Sequence, residues 1–214
     1  MSIDSMNKVI HAAVRRDLGR LESALEEAGR GQTEGDDAAR AQDLHRAWAH
    51  LHDQLRHHHR QEEEIIFPAV VRLGVDENLL GELESEHGAM MKALGGIDAA
   101  MTTYAASGSA PDAAAAADVV RRGTVVVEEH LAREEGELEP MLQPHLESAE
   151  WRAVERQVRK QPPVKVGWFF AWLQDGGPEE AQAFLGRTIP GPVRFVFSRL
   201  FGRGYHARIA PVWR

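Results

Sequence analysis

The sequence predicts an all-α fold: an antiparallel up-down-up-down four-helix bundle with an additional helical, aromatic-rich C-terminal extension. Four long segments carry apolar residues at the three- and four-residue spacing of a helix that buries one face. Short stretches rich in Gly, Pro, Ser and Asp separate these segments, and short connections are typical of antiparallel neighbours. We assign residues 1–146 to the bundle and residues 147–214 to the extension.

Composition narrows the class of protein. The chain has 214 residues, enough for one sizeable core, with 33 acidic and 25 basic side chains and a net charge of −8. This balance argues against nucleic acid as the main partner. The absence of cysteine excludes disulfides, thiolate metal sites and thiol catalysis. No signal-like segment and no run of about 20 apolar residues is present, so we expect a cytoplasmic protein and no membrane partner.

The first helix is predicted to begin after Asp4 or Ser5, either of which can cap it, and to end near Ala28. His11 lies on or beside the apolar stripe of this helix. A single histidine there is more typical of a core or boundary position than of a metal ligand. A glycine-rich loop is expected over residues 29–37.

The second helix, from about Ala38 to Leu73, contains the run HHHRQEEEIIFP. His58 and Glu62 are four residues apart, so they point the same way from a helix. Pro68 should kink this helix or change its hydrogen bonding below the histidines. The pair belongs to the apolar seam of the helix, which we predict from the spacing of Leu51, Leu55, His58, Glu62, Ile65 and Ala69.

A run of histidines and glutamates is by itself more typical of a solvated helix face, and His59–Glu63 has the same spacing as His58–Glu62. A second copy, EHLAREEGELEP, changes this interpretation. Its histidine, the glutamate four later and the proline ten later are His130, Glu134 and Pro140. Aligning the two prolines pairs His130 with His58 and therefore favours His58 over His59.

The third helix is predicted to run from a cap at Asp76 to about Ala105, with His87 on its apolar stripe. The fourth is predicted to be capped by Asp112 and to end near Pro140. Antiparallel packing would bring the histidines and glutamates of all four helices to one end of the bundle, where imidazoles and carboxylates suit a first-row transition metal. The candidate metal ligands are His11, His58, Glu62, His87, His130 and Glu134.

These residues resemble the hemerythrin-like, HHE cation-binding family. The resemblance covers roughly residues 5–145: a lone His on the first helix, His-x-x-x-Glu on the second, His on the third, and His with a following carboxylate on the fourth. It implies two non-haem iron ions, with carboxylate and oxo or hydroxo bridges, that meet dioxygen, peroxide or nitric oxide. In that arrangement Glu62 and Glu134 bridge the ions, His11 and His58 hold one, and His87 and His130 hold the other.

The chain departs from the oxygen-carrying members of that family at two positions. Met91 stands where they have a second third-helix histidine, and their last carboxylate usually falls at the position of Glu135 rather than Glu134. A thioether is a poor ligand for iron, so we expect Met91 to pack. Glu84, one turn before His87, is a candidate replacement, although a surface position is the more ordinary expectation. Glu135 or a residue of the extension could also complete the site.

Fewer histidine ligands leave more coordination positions of the metal open for solvent or substrate, which favours redox turnover over simple oxygen carriage. Catalase-like removal of peroxide is our favoured hypothesis, with no catalytic residue assigned. The main alternative is a non-enzymatic module that binds or senses dioxygen, nitric oxide or iron. A structural bundle with adventitious zinc ranks third. A ferritin-like bundle requires Glu-x-x-His twice, and the chain has it once, at Glu84 to His87.

The extension differs in composition from the bundle. Residues 165–214 hold seven basic and three acidic side chains, and ten of the fourteen aromatic residues lie between Trp168 and Trp213. A short helix is expected over residues 147–161. We expect the segment around residues 193–203 to fold back onto the bundle. A second copy or a partner protein is the next alternative, and an amphipathic helix on an anionic membrane ranks after it.

Overall fold

The computed structural model describes residues 3–31, 37–74 and 76–214, and every regular element in these ranges is helical, which confirms the predicted all-α class. The elements are α1 (Met6–Gly29), α2 (Asp37–Gln61), a π-helical turn (Glu62–Ile66), α3 (Phe67–Arg72), α4 (Glu77–Ser107), α5 (Ala110–Arg133), a second π-helical turn (Glu134–Leu138), α6 (Glu139–Leu142), a 3-10 turn (Gln143–His145), α7 (Ala149–Val158), α8 (Pro163–Gln174), α9 (Glu179–Thr188), α10 (Gly191–Val196), a third π-helical turn (Phe197–Phe201), α11 (Arg203–Arg208) and a 3-10 turn (Ala210–Trp213).

The four long helices pack in a ring, because α1 contacts α2 and α5 while α4 contacts the same two helices. The end of α1 lies beside the start of α5, and the start of α1 lies beside the end of α5. Gly29 of α1 contacts Ala114 of α5, and His11 lies beside Glu135 just after α5. These pairs show that α1 and α5 run antiparallel. The ring encloses an apolar core whose largest fully buried members include Leu18, Leu21, Leu25, Leu44, Trp48, Leu51, Leu55 and Tyr104.

Side-chain caps fix where the helices begin. Ser5 caps α1 by accepting a hydrogen bond from the Lys8 N–H. Asp76 caps α4, as predicted. The predicted cap of the fourth helix at Asp112 is wrong, because α5 begins at Ala110 and is capped by Ser109. The intervening proline fits the first helical turn, where no backbone N–H is needed, so the helix starts earlier. The predicted loop after α1 falls largely on residues 32–36, outside the described residues.

Both His-x-x-x-Glu repeats lead into a π-helical turn. The N–H of Phe67 donates to the carbonyl of Glu62, five residues back, and Glu139 donates to Glu134 in the same way. A proline follows one residue later in each copy, at Pro68 and Pro140. Its ring would clash with the carbonyl four residues back in an α-helix, and the wider turn relieves that clash. The predicted change of hydrogen bonding at Pro68 is confirmed.

The extension packs against the bundle. α7 contacts α3 and the first π-helical turn, whereas α8 and α9 contact α1. The buried indole N–H of Trp172 donates to Asp17 at 2.7 Å, and the Arg40 guanidinium donates to the carbonyl of Val212 at 2.7 Å. The apolar core of the bundle is continuous with buried residues of α8, α9 and α11. Within the described ranges, no helix has the length and apolar character needed to cross a bilayer.

Candidate metal centre

The six candidate ligands predicted from the sequence all lie inside one end of the bundle. Each is buried, and each comes from the element expected to carry it. They fall into two neighbouring groups of potential ligand atoms, which are His11, His58 and Glu134 in the first, and His59, Glu62, His87 and His130 in the second.

In the first group two imidazoles from different helices face each other. The Nε2 atoms of His11 and His58 are 3.3 Å apart, and the rings meet edge to face. Oε2 of Glu134 is 3.3 Å from the same Nε2 of His11. The three side chains thus point lone-pair atoms at one small volume.

The second group repeats this arrangement on the other side of the site. The Nε2 atoms of His87 and His130 are 3.2 Å apart. The ring of His59 is 4.6 Å from that of His87 and 5.6 Å from that of His130, measured between centroids. Phe67 stacks on the outer face of His87, which fixes the plane of that imidazole.

Two carboxylates span the two groups. Glu62 places Oε1 3.1 Å from Nε2 of His58 and Oε2 3.6 Å from Nε2 of His87. Glu134 places Oε2 3.3 Å from Nε2 of His11 and Oε1 3.6 Å from Nε2 of His130. The first residue of each π-helical turn therefore supplies a carboxylate with one oxygen toward each histidine pair.

His59 is the residue that the sequence interpretation set aside. It is only 3% exposed, and it joins Glu62, His87 and His130 as a member of the second group. Two consecutive residues of an α-helix point about 100° apart, so only one was expected to face inward. The site is wide enough to receive both, and the signal that could have identified His59 is the equal four-residue spacing of His59 and Glu63.

The other positions considered for the ligand shell lie outside the two groups. Met91 and Glu84 are exposed, so neither fills a ligand position. Glu135 is buried, but its carboxylate binds the outer nitrogen of His11 and the guanidinium of Arg15, at 2.8 and 2.7 Å. It supports a candidate ligand from behind.

Carboxylates hold the outer nitrogen of three histidines. Nδ1 of His11 lies 2.8 Å from Glu135, Nδ1 of His87 lies 3.0 Å from Glu63, and Nδ1 of His130 lies 3.2 Å from Glu86. A hydrogen bond at Nδ1 selects the tautomer whose Nε2 carries the free lone pair and increases the basicity of that atom. These three imidazoles are therefore oriented to bind a metal through Nε2.

Burial and neighbouring charges set the protonation of the cluster. Burial lowers the pKa of His58 to about 3, assisted by the neighbouring His11, and burial also lowers the pKa of His59 well below its usual value. Burial and the facing carboxylate of Glu134 raise the pKa of Glu62 well above its ordinary range. For Glu134, burial opposes ionisation, but the His11 imidazole 3.3 Å away, together with His130 and His58, outweighs it and lowers the pKa. Burial thus keeps His58 and His59 neutral, which is the form that binds metal, whereas for His11 the carboxylates of Glu134 and Glu135 outweigh burial and raise the pKa.

The unpartnered atoms of the cluster show that the donor set fits a metal. Among the described residues, Oε2 of Glu62, both carboxylate oxygens of Glu134 and both ring nitrogens of His59 are buried without a hydrogen-bond partner. Buried polar atoms without partners are costly, and a cation shared among them satisfies all of them at once. Imidazole nitrogens with carboxylate oxygens and no thiolate suit a first-row transition metal.

Comparison with known proteins gives the family. The model of the hemerythrin HHE cation-binding domain matches residues 4–142, which covers the ring of four helices and every residue of the two ligand groups. No curated protein and no solved structure matches the chain.

Proposed function

Because the chain belongs to the hemerythrin HHE cation-binding domain family, we propose that its bundle holds two iron ions and reacts with peroxide or dioxygen, with catalase-like removal of peroxide as the favoured reaction. The observation that carries this proposal is the pair of buried carboxylates, Glu62 and Glu134, each lying between histidines of both ligand groups. A bundle that bound one ion would need one such group, and zinc is the less favoured metal.

The proposed ligand sets follow the two groups. His11 and His58 would hold one ion, while His59, His87 and His130 would hold the other. Glu62 and Glu134 would bridge them. The first ion would then have two histidines and the second three, so the first keeps more coordination positions for a small molecule. Two adjacent iron ions would supply the two-electron exchange that peroxide chemistry needs.

The residues behind the ligands favour an oxidised metal. Glu63, Glu86 and Glu135 draw the Nδ1 protons of three histidines toward themselves, which makes those imidazoles stronger donors to a cation. Stronger donors stabilise the higher charge. Reversible oxygen carriage depends on a reduced metal that survives in air, so this arrangement supports turnover with an oxidant instead.

The surrounding residues control water and protons. A second apolar cluster, which includes Phe67, Leu83 and Leu138, closes the end of the bundle below the ligands. Glu63 is half exposed and touches Nδ1 of His87, so it can exchange a proton with solvent at the edge of the site without opening the interior. The chain would thus keep bulk water out while one carboxylate connects a ligand histidine to solvent.

Reversible binding or sensing of dioxygen, nitric oxide or iron is the second candidate. The observation that favours it is His59, because its position gives the site five histidines in place of the four expected from the sequence. More protein ligands leave fewer positions open, which weakens the argument from missing ligands and suits the binding of a single small molecule at the ion with two histidines.

The test is metal content followed by peroxide addition. The protein purified with and without air should contain two irons per chain and evolve one dioxygen for every two peroxides consumed. Glu62→Gln removes one proposed bridge and should lower both iron content and peroxide consumption. Glu64→Gln, an exposed glutamate of the same run, is the matched control and should change neither.

The same measurement separates the alternatives. Two irons with a reversible optical change on adding dioxygen or nitric oxide, but without peroxide consumption, would favour the binding or sensing module. Protein from iron-replete cells that holds only zinc, or no metal, would contradict both proposals and leave a structural bundle.

A further inference from the structure

The segment from Gly191 to Phe201 presents an exposed apolar face. α10 and the π-helical turn after it form one continuous helical stretch, and its large side chains turn outward: Phe195 is 65% exposed and Leu200 is 62% exposed. Val164, at the start of the neighbouring α8, is also exposed. We call this the outer face, and define it by Val164, Val193, Phe195, Val196, Leu200 and Phe201.

The inner side of this stretch already has a partner. Phe197 packs on Phe170 of α8, and a Cβ placed on Gly167 would lie 2.3 Å from Cβ of Phe201, so the two helices touch along their backbones. Buried Ser198 is 3.2 Å from Nε2 of His206 in α11. The main contacts of the stretch are with α8 and α11, which places it as an outer layer beyond the helices that touch the bundle.

Charge limits what can cover the outer face. No acidic residue occurs from residue 181 to residue 214, and six arginines do. Arg199 and Arg203 are exposed, and Lys165 lies beside Val164. A symmetric dimer through this face would bring arginines of one copy against arginines of the other, which is unfavourable. The complementary partner is therefore anionic.

Apolar and basic side chains are exposed together along this stretch. Phe195, Arg199 and Leu200 are exposed within it, and exposed Arg203 begins α11 two residues after it ends. The long arginine side chain can lie along an apolar layer while its guanidinium reaches phosphate.

From this face we propose that the protein docks on an anionic lipid surface, with the stretch from Gly191 to Phe201 lying in the plane of the headgroups. Phe195 and Leu200 would enter the boundary between headgroups and acyl chains, and Arg199 and Arg203 would bind lipid phosphates. The face is the convex side of a helix, so it matches a planar, deformable surface without needing a shaped groove in a partner protein.

This proposal differs from the ranking given by the sequence, which placed a membrane after a partner protein. From the sequence, folding back onto the bundle and binding to a surface were separate alternatives for this segment. The structure allows both, because Phe197 and Ser198 fix the stretch to α8 and α11 while Phe195 and Leu200 remain exposed. The net negative charge resides in the bundle, and charges farther from the lipid surface than the Debye length of ~8 Å in physiological salt are largely screened.

The experiment is co-sedimentation of the full-length protein with vesicles. Vesicles with about one third phosphatidylglycerol in phosphatidylcholine should bind the protein, and pure phosphatidylcholine vesicles should bind it much less. The double variant Phe195→Ser and Leu200→Ser should weaken binding roughly tenfold or more. Arg199→Gln and Arg203→Gln should each weaken it about fivefold, an effect that fades in high salt.

Matched controls come from the bundle. Val125 is 55% exposed and Arg122 is also exposed, both on α5, so Val125→Ser and Arg122→Gln should leave vesicle binding unchanged. Circular dichroism checks that each variant is folded. Absence of sedimentation with anionic vesicles overturns the proposal and leaves an acidic protein surface as the partner. Self-association that Phe195→Ser abolishes overturns it in favour of a second copy. Neither result depends on the metal content.

Discussion

The four long helices build two different interiors along their length. The apolar half is filled by leucine, alanine and aromatic side chains that are almost fully buried, and it is so close-packed that a Cβ on Gly123 would lie 2.6 Å from Cδ1 of Ile97. The polar half holds five histidines and two glutamates, and some of their buried nitrogen and oxygen atoms have no hydrogen-bond partner among the described residues.

The apolar half stabilises the fold, and this stability offsets the cost of burying the polar half. Each side chain of the apolar half gains from burial independently of any ligand. In the polar half, histidine nitrogens face each other at 3.2 and 3.3 Å and carboxylate oxygens lack hydrogen-bond partners among the described residues, so without a cation this half would cost free energy. Such an arrangement persists because packing elsewhere, including Phe67 against His87, holds the ligands in place.

The largest effect on stability is expected in the apolar half. Leu21→Ala removes a fully buried side chain and should lower the free energy of unfolding by about 2–5 kcal/mol, measured by urea denaturation. Metal content of the folded variant should stay the same, because Leu21 touches no ligand group. The control is Leu200→Ala, exposed and expected to change stability by no more than about 0.5 kcal/mol. Equal loss of metal in the folded Leu21 variant would show that the halves are not separable.

The effect of a substitution in the polar half on stability should reverse when metal is bound. His59→Leu replaces a buried ring without hydrogen-bond partners among the described residues, so it should stabilise the metal-free protein by about 1–3 kcal/mol. In the metal-loaded protein the same variant should lose affinity, because a proposed ligand is gone. Thermal unfolding with and without chelator measures both. His57→Leu, a less buried neighbour, should show no such reversal; destabilisation of His59→Leu in both states would argue that His59 is a packing residue.

The outer carboxylates should have a smaller effect. Glu86→Gln weakens the hydrogen bond to Nδ1 of His130 and should lower metal affinity about tenfold, measured by competition with a chelator. Glu82→Gln is a close control, because Glu82 and Glu86 both bind Arg133 but only Glu86 touches His130. Equal losses in the two variants would assign the effect to Arg133 rather than to the histidine.

The last effect depends on pH and concerns a histidine outside the metal cluster. Burial against Trp168, Trp172 and Tyr205 lowers the pKa of His50 to about 4. Between pH 6.5 and pH 4, His50 is therefore protonated in the unfolded chain and neutral in the folded chain. The contribution of His50 to stability should be full above pH 6.5 and fall by at most about 1.4 kcal/mol per pH unit between pH 6.5 and pH 4.

His50→Leu should reduce this slope in unfolding experiments at several pH values. An unchanged slope in the His50 variant would mean that the contact between the bundle and the aromatic residues of the extension does not depend on a neutral His50.

The sequence by itself determined the all-α class, the ends of most helices and the six candidate ligands that the structure places in one buried end. Hydrophobic spacing and capping residues act over a few positions, so a single stretch of chain such as Ser5–Gly29 carries its own signal. A kink or a change of hydrogen bonding at Pro68 was likewise predictable, because the missing N–H and the ring clash are properties of proline itself, but its π-helical form was not.

Only the tertiary structure decided the position of His59, the role of Glu135 and the exposed face of the extension. His59 enters the site because it packs against His87 and His130, which come from two other helices, so its position depends on how the helices pack together. Glu135 points to His11, 124 positions earlier in the chain, a pairing that no local pattern encodes. The outer face is apolar in sequence whether it is covered or free, and only the packing of α8 and α11 on its inner side leaves it exposed.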